Sequence, residues 1–242
     1  MSRHARHLAL AQVGEAGQQR ISESSVLMIG VGGIGCAAAS YLASSGVGHI
    51  ILNDFDTIDE TNLGRQVLFG LDDVGKSKTA TAAARLSALN PDVRISVLDE
   101  RLDAAALETT IADVDVVLDG SDNFATRFLV NDACVRGNCC LVSGSAIRLE
   151  GQIAVFGPDY DSSPCYRCLY EDADESLENC AGNGVLAAVP GVIGTMMAVE
   201  ALKQMAGIDS ARGRLQLYDA GDTSFRSVSI SKREGCPACY HR

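Results

Sequence analysis

Short apolar segments alternate with longer helical segments along the first half of the chain. Residues 26–29 form an apolar run, and an alanine-rich segment with the composition of a helix follows it. Residues 78–89 and 104–111 have helical patterns, whereas residues 93–98 and 114–118 are typical of strands. This alternation predicts βαβ units, and therefore a mainly parallel sheet with helices on its faces.

The pattern changes near residue 150. A helix at 123–136 and a strand at 140–143 continue the first pattern, but shorter alternating strands begin at 151–156. Such strands are typical of antiparallel pairing. The rest of the chain contains an apolar helix and two strands, at about 190–205, 215–218 and 227–230.

A glycine-rich turn joins the first predicted strand to the first helix. Gly30, Gly32 and Gly35 have GxGxxG spacing, which allows a tight turn, close approach of a phosphate and close packing of helix on strand. Asp54 ends the second strand, 24 residues after Gly30, where an acidic side chain can bind ribose hydroxyls. The combination predicts a nucleotide site; the alternative is a turn that serves packing only.

The polar region 57–78 offers side chains that could reach phosphate groups. They are Asn62, Arg65, Gln66 and Lys78. A surface loop with two cations is ordinary, so the spacing in this region leaves both interpretations open.

Asp122 follows another predicted strand, within the sequence DGSDN at 119–123. The carboxyl ends of parallel strands face the crevice in which open α/β sheets bind ligands, so Asp122 is a candidate for a magnesium and phosphate site. The alternative is that Asp122 is the N-cap of the helix 123–136, and one position could serve both purposes.

Two CxxC pairs offer the four thiolates of a tetrahedral zinc site. They are Cys165 with Cys168 and Cys236 with Cys239. The pairs are far apart along the chain, so the metal would join distant segments. The alternative is two redox-active or incidental pairs.

The remaining cysteines divide into two groups. Cys180 lies alone in an acidic segment, 171–184, that we expect to be a mobile loop. It is either a spare thiol or a nucleophile. The others have apolar neighbours and are interpreted as small buried hydrophobic residues: Cys36, Cys134, Cys139 and Cys140.

Together these patterns predict an α/β fold: a Rossmann-like, mixed, mainly parallel sheet flanked by helices, with an antiparallel C-terminal part and a zinc knuckle. We expect a single domain over residues 1–242. Residues 1–150 would form its nucleotide-binding part, and residues 151–242 its antiparallel and zinc-binding part.

Composition limits the classes of partner. The 242 residues are 47% hydrophobic, enough for a sizeable core, and the net charge of −11 argues against a general nucleic-acid binder. No apolar run has the length of a membrane helix, and the polar N-terminus lacks the apolar region of a signal peptide. We therefore expect a cytoplasmic protein without nucleic-acid or membrane partners, whose cysteines form no disulfides.

Eight motifs, in order across almost the whole chain, resemble the bacterial E1-like adenylyltransferases of the MoeB, ThiF and HesA family, relatives of ubiquitin-activating enzymes. The motifs are GVGGIG, NDFD, TNLGRQ, the lysine of VGKSK, DGSDNFATR, VSGSAIRLEGQI, CYRC and CPAC. Gly64, where the family often has glutamine, and Asn53 depart from the family pattern.

The resemblance implies an enzyme that uses ATP and Mg²⁺ to adenylate the C-terminal glycine of a small ubiquitin-like sulfur carrier ending in Gly-Gly, of the MoaD or ThiS type, and so prepares it for thiocarboxylate formation. It also implies a homodimer with a structural Zn²⁺. No rhodanese-like segment follows the second CxxC pair, so we expect a separate sulfur donor.

The resemblance further assigns roles to matching positions. It places the phosphates of ATP near the glycine turn, the ribose on Asp54, and magnesium and the reaction centre at Asp122 with Asn123. It makes Arg6 a residue inserted into the partner subunit's site, and Cys180 a candidate for the covalent link that some relatives form with their carrier. The implied phosphate-binding residues are Gly33, Asn62, Arg65 and Lys78.

Other functions remain open at this point. The enzyme could adenylate the C-terminus of a peptide, or the chain could be a non-catalytic E1-like scaffold. An NAD-dependent oxidoreductase would share the glycine turn and Asp54, but it would leave Arg65, Lys78 and Asp122 without a role. The sequence does not separate molybdenum cofactor biosynthesis from thiamine biosynthesis or tRNA thiolation.

Overall fold

The structure, a computed structural model, describes residues 3–171 and 184–240. Its strands are β1 (Ser25–Ile29), β2 (His49–Asn53), β3 (Arg94–Leu98), β4 (Val116–Asp119), β5 (Cys140–Ile147), β6 (Glu150–Phe156), β7 (Arg214–Asp219) and β8 (Ser224–Ser229). They form one sheet in the order β3-β2-β1-β4-β5-β6-β7-β8. Pairing is parallel from β3 to β5 and antiparallel from β5 to β8. The predicted fold class is confirmed.

The described helices cover both faces of this sheet. They are α1 (Ala5–Leu8), α2 (Gly14–Glu23), α3 (Gly33–Ser44), α4 (Lys78–Leu89), α5 (Ala104–Ile111), α6 (Phe124–Gly137), α7 (Tyr166–Leu169) and α8 (Ala188–Ala206), with short 3₁₀ turns at Glu60–Asn62 and Leu71–Asp73. None of these helices is both long and apolar enough to cross a membrane.

Two apolar cores lie on opposite faces of the sheet. Helices α2, α3, α4 and α8 pack into one core, and helices α5, α6 and α7 into the other. Val26 and Met28 of β1 belong to the first core, and Leu27 and Ile29 to the second, because successive side chains of a strand point to opposite faces. Burial on both faces explains why the parallel strands are apolar runs without alternation.

Several element boundaries differ from the sequence-based expectation: strand β5, for example, continues to Ile147, four residues beyond its predicted end. Two of the differences have a local explanation. Strand β4 begins at Val116, two residues later than predicted, and the side chain of Asp115 instead accepts a hydrogen bond from the Ser25 N–H at 2.8 Å. Helix α8 begins at Ala188, before Pro190. Proline is tolerated there because the N–H groups of a first helical turn have no partner within the helix.

The four cysteines expected in the core are buried. Burial raises the pKa of the Cys36, Cys139 and Cys140 thiols to about 12, and raises that of Cys134 well above its ordinary value. These thiols are therefore protonated at neutral pH and act as small apolar side chains.

Candidate active site

The candidate site lies where the strand order reverses. Strand β1 has β2 on one side and β4 on the other, and crevices at such switch points hold the ligands of open α/β sheets. A cleft of about 530 Å³ opens there, lined by segments that follow β1, β2, β3 and β4. Its volume is within the range of small-molecule sites, roughly 300–1,000 Å³.

The glycine turn forms one wall of the cleft. Gly30 has φ +82°, and a Cβ on Gly35 would lie 2.0 Å from the Gly30 carbonyl oxygen, so both positions require glycine. Helix α3 begins directly after Gly32, and no side chain caps it. Its first amide groups and the positive end of its dipole are therefore available to an anion, as predicted for a phosphate site.

Asp54 and Lys78 meet behind this turn. Asp54 accepts a hydrogen bond from the Val31 N–H at 2.8 Å, and the Lys78 ammonium lies 4.0 Å from its other oxygen. Burial raises the pKa of the Asp54 carboxyl, although Lys78 opposes this shift. The Lys78 side chain is 8% exposed, so a largely buried cation is fixed at the edge of the cleft.

The segment 60–66 supplies three further side chains to the cleft: Asn62, Arg65 and Gln66. Asn62 accepts a hydrogen bond from the Asp59 N–H at 3.2 Å, and Arg65 donates to the Thr61 carbonyl at 3.1 Å. Gln66 is 3% exposed, and its Oε1 has no hydrogen-bond partner among the described residues. The structure thus brings together the polar residues that the sequence singled out in this region.

Asp122 faces the same cleft from the other side of the switch point. The alternative role as an N-cap is wrong: the cap is Asn123, whose Oδ1 accepts the Thr126 N–H at 2.9 Å. The Asp122 side chain is exposed, and its recorded hydrogen bond, from Asn123 Nδ2, is long at 3.4 Å. Its carboxylate oxygens are therefore open to the cleft, as a magnesium ligand requires.

The cleft does not test the predicted roles of Arg6 and Cys180. Arg6 is exposed on α1 and is absent from the cleft of its own chain. Cys180 lies outside the described residues. Both proposed roles therefore stay predictions.

The two CxxC pairs converge at the second core, to which Cys165, Cys236 and Cys239 belong. The Cys165 and Cys236 sulfurs lie 3.7 Å apart, those of Cys168 and Cys239 3.5 Å apart, and all four lie within 4.8 Å of one another. Tetrahedral zinc–thiolate bonds of about 2.3 Å place sulfurs roughly 3.8 Å apart. Hydrogen bonds from the Cys165 thiol and the Arg233 N–H to the Cys168 sulfur hold the pKa of Cys168 below its ordinary value. The donor set and spacing fit zinc.

Sequence reasoning missed four residues at or next to the cleft. Arg127 lines the cleft although it is only 3% exposed, and Asp119 is buried at the end of β4. Arg101 lies 4.5 Å from the centre of the Phe55 ring at the rim. Asp119 and Arg127 lie within the DGSDNFATR motif. This motif was the only feature of the sequence that could have identified them. No feature of the sequence pattern indicates that Arg101 contacts Phe55.

Comparison with known families gives a direct result. A model described as the ThiF family matches residues 4–238. The chain belongs to the ThiF family. The predicted resemblance is therefore confirmed over nearly the whole chain.

Curated relatives of this ThiF-family chain are adenylyltransferases and an activating enzyme. The sulfur carrier protein ThiS adenylyltransferase of Escherichia coli K12 is 42% identical, across 98% of this chain and 94% of the relative. The SAMP-activating enzyme E1 of Haloferax volcanii is 41% identical, across 99% and 88%. The adenylyltransferase and sulfurtransferase MOCS3 of Culex quinquefasciatus is 41% identical across 99% of this chain, which spans 55% of that protein. The predicted enzyme class, an adenylyltransferase, is confirmed, and this class implies use of ATP.

Solved structures agree on the fold. The crystal structure of E. coli MccB with ATP has a TM-score of 0.86 and 25% identity, over 98% of this chain and 73% of that one.

Proposed function

We propose that the protein uses ATP to adenylate the C-terminal glycine of a small ubiquitin-like sulfur-carrier protein that ends in Gly-Gly. The adenylate would then be converted to a thiocarboxylate with sulfur from a separate donor. The observation that carries the proposal is the convergence of the open helix N-terminus, Lys78, Arg65 and Asp122 on one cleft. Relatives named for the sulfur carriers ThiS and SAMP support the class of substrate.

The reaction requires charge relief rather than a general base. A C-terminal carboxylate, with an unperturbed pKa of about 3.3–3.7, is already ionised at neutral pH. Its oxygen forms a bond to the α-phosphorus, the bond from that phosphorus to the bridging oxygen of the β-phosphate breaks, and pyrophosphate leaves. Carboxylate and triphosphate repel each other, so catalysis consists mainly of positioning and electrostatic stabilisation.

The cleft residues suit this task. Lys78, Arg65 and the amides at the start of α3 would bind phosphate oxygens, and Asp54 would bind the ribose. Gln66 would offer its unpartnered side-chain oxygen as a further acceptor. Asp122 with Asn123 would hold Mg²⁺, which supplies positive charge to the phosphate oxygens.

Four further parts of the proposal concern the homodimer, the metal, the location and the domain organisation. Arg6 would act in the cleft of a second copy in a homodimer, since it does not line its own. The four clustered cysteines would hold a structural Zn²⁺. We also propose a cytoplasmic location. We propose a single domain because the cores on the two sheet faces share every strand from β1 to β6.

Exchange of labelled pyrophosphate into ATP tests the proposal. Purified protein should catalyse exchange with carriers of the ThiS, SAMP or MoaD type and give no exchange with the same carriers lacking the last glycine. Exchange only with a short peptide would favour the alternative of peptide adenylation. ATP binding without exchange on any carrier or peptide would favour a scaffold.

A further inference from the structure

The backbone of Ser121 is held from both sides by buried charged groups. The Asp119 carboxylate accepts the Ser121 N–H at 3.0 Å, and Arg127 donates Nε and Nη2 to the Ser121 carbonyl at 3.2 and 2.8 Å. Asp119 is 0% exposed and Arg127 3% exposed. Both peptide groups that flank the Cα of Ser121 are therefore fixed by side chains of β4 and α6.

The position of Asp122 depends on this arrangement. Its own side chain has only the 3.4 Å contact with Asn123, which is too long to fix a carboxylate. On the opposite side the loop is limited by the glycine turn, since a Cβ on Gly30 would lie 3.1 Å from the Gly120 oxygen. The backbone one residue before Asp122 therefore decides where its carboxylate lies.

A gain in folding stability does not explain why the charged side chains of Asp119 and Arg127 are buried. Desolvation of an ion pair commonly costs as much as the pair gains, and apolar replacements of buried pairs are often neutral or stabilising. Burial raises the pKa of the Asp119 carboxyl, and the Arg127 guanidinium opposes this shift. One carboxylate oxygen of Asp119 also has no hydrogen-bond partner among the described residues. A charge that is costly to bury and incompletely satisfied beside a reaction centre indicates a functional role.

We propose that Arg127, with Asp119, is a positioning residue for adenylation: it fixes the Ser121 backbone so that Asp122 presents its carboxylate at the switch point. The effect on adenylation rests on the proposed function, whereas the effect on the loop does not. Arg127 also lines the cleft, but in this proposal it acts through Ser121 and Asp122 and not by a contact of its own with ATP.

Arg127→Lys separates geometry from charge, because lysine keeps the positive charge but cannot donate twice from a rigid fork. We expect kcat for carrier-dependent exchange to fall about 10- to 100-fold, the size of effect that a displacement of about 1 Å produces. The KM for ATP should change less than about two-fold, since uniform binding is retained.

Arg167→Lys is the matched control. Arg167 makes a two-pronged contact with Asp132, at 2.7 and 2.8 Å, and does not line the cleft. The Arg167→Lys substitution should lower thermal stability and leave kcat unchanged. Equal kcat in both variants, or a raised KM with unchanged kcat in Arg127→Lys, would overturn the proposal.

A double-mutant cycle tests whether Arg127 acts through Asp122. Once Asp122→Glu has displaced the carboxylate, adding Arg127→Lys should cost much less than it costs alone. Fully additive losses would mean that Arg127 acts independently of Asp122, which contradicts the proposal.

Hydrogen exchange gives a readout that needs no carrier. The segment 119–123 should lose amide protection in Arg127→Lys and keep it in Arg167→Lys. Unchanged protection would overturn the proposal, even if no carrier supported exchange and the proposed function itself had failed. If Arg127→Lys does not fold, Arg127→Gln, which removes the buried charge and keeps an N–H donor, should show the same loss of protection.

Discussion

The ammonium group of Lys78 lies 2.8 Å from a carboxylate oxygen of Asp56. The Lys78 side chain is 8% exposed and that of Asp56 55%, so the lysine is fixed by the protein while its partner extends into solvent. A bound triphosphate would compete with Asp56 for this cation. The contact therefore holds the Lys78 side chain in place in the absence of nucleotide.

Loss of this cation should abolish most of the reaction. We expect Lys78→Met to lower the rate of pyrophosphate exchange at least about 100-fold, equivalent to roughly 2.7 kcal/mol, because one fixed positive charge near the phosphates is removed. The matched control is Lys76→Met, two residues away, whose side chain is 58% exposed and pairs with Asp73. Similar rates in the two variants would exclude Lys78 from the reaction.

The cluster of four cysteines predicts that the purified protein contains a bound metal. Elemental analysis of purified protein should find about one zinc per chain, and Cys239→Ser should lower both the zinc content and the midpoint of thermal unfolding, since metal-binding energy contributes directly to folding. Cys134→Ala also changes a buried cysteine but lies outside the cluster, so it should keep the zinc. A folded wild-type protein free of metal would contradict the assignment.

A third prediction concerns acid stability. The Gly70 N–H and the Arg85 guanidinium hydrogen-bond to Asp73 and lower its pKa to about 2. An aspartate in an unfolded chain has a pKa of about 3.9, so ionised Asp73 stabilises the folded state above that pH. Its contribution is lost as the pH falls through about 2.

Asp73→Asn should therefore lower the free energy of unfolding at neutral pH, and its difference from wild type should shrink between about pH 4 and pH 2. Urea unfolding over a pH series measures this difference. Asp72→Asn, at the exposed neighbouring position, should show little effect at any pH. A difference independent of pH would rule out the carboxylate charge as the cause.

The sequence predicted those parts of the cleft in which a short sequence pattern sets both the backbone conformation and the functional residues. Gly30 and Gly35 are required by a turn that spans only a few residues, so their spacing alone indicates their task. Asp122 follows a strand that ends at the switch point, and the order of βαβ units is enough to place it in the crevice. Local pattern did not decide between Asp122 and Asn123 as the N-cap, because aspartate and asparagine are about equally favoured in that position.

Contacts between distant segments could not be predicted in the same way. Arg101 follows β3 and Phe55 follows β2, and their contact depends on the side chain of Asn53, which donates to the Leu98 and Glu100 carbonyls at 2.9 and 2.8 Å. The burial of Gln66 likewise depends on how the segment 60–66 folds back on the glycine turn. Such contacts are set by the packed tertiary structure and have no periodic signal.

The last prediction concerns Arg6, which the structure places outside its own cleft. If each cleft of a homodimer receives Arg6 from the partner, Arg6→Ala chains and Asp122→Ala chains should each be inactive alone, yet active when mixed. A site in a mixed dimer can combine an intact Asp122 with an intact Arg6 from the other chain. Under random exchange of subunits about a quarter of sites would be whole, because each site draws its two residues independently from two equal pools.

The design needs a matched control and proof of exchange. Arg3→Ala removes a nearby exposed arginine, which donates to the Leu89 carbonyl of its own chain at 2.7 Å, and should stay active alone. Native mass spectrometry of differently labelled chains would establish that subunits exchange. If mixed dimers form and no activity returns, then Arg6 does not act across the interface, because a residue that served its own cleft, or no cleft, could not be supplied by the second chain.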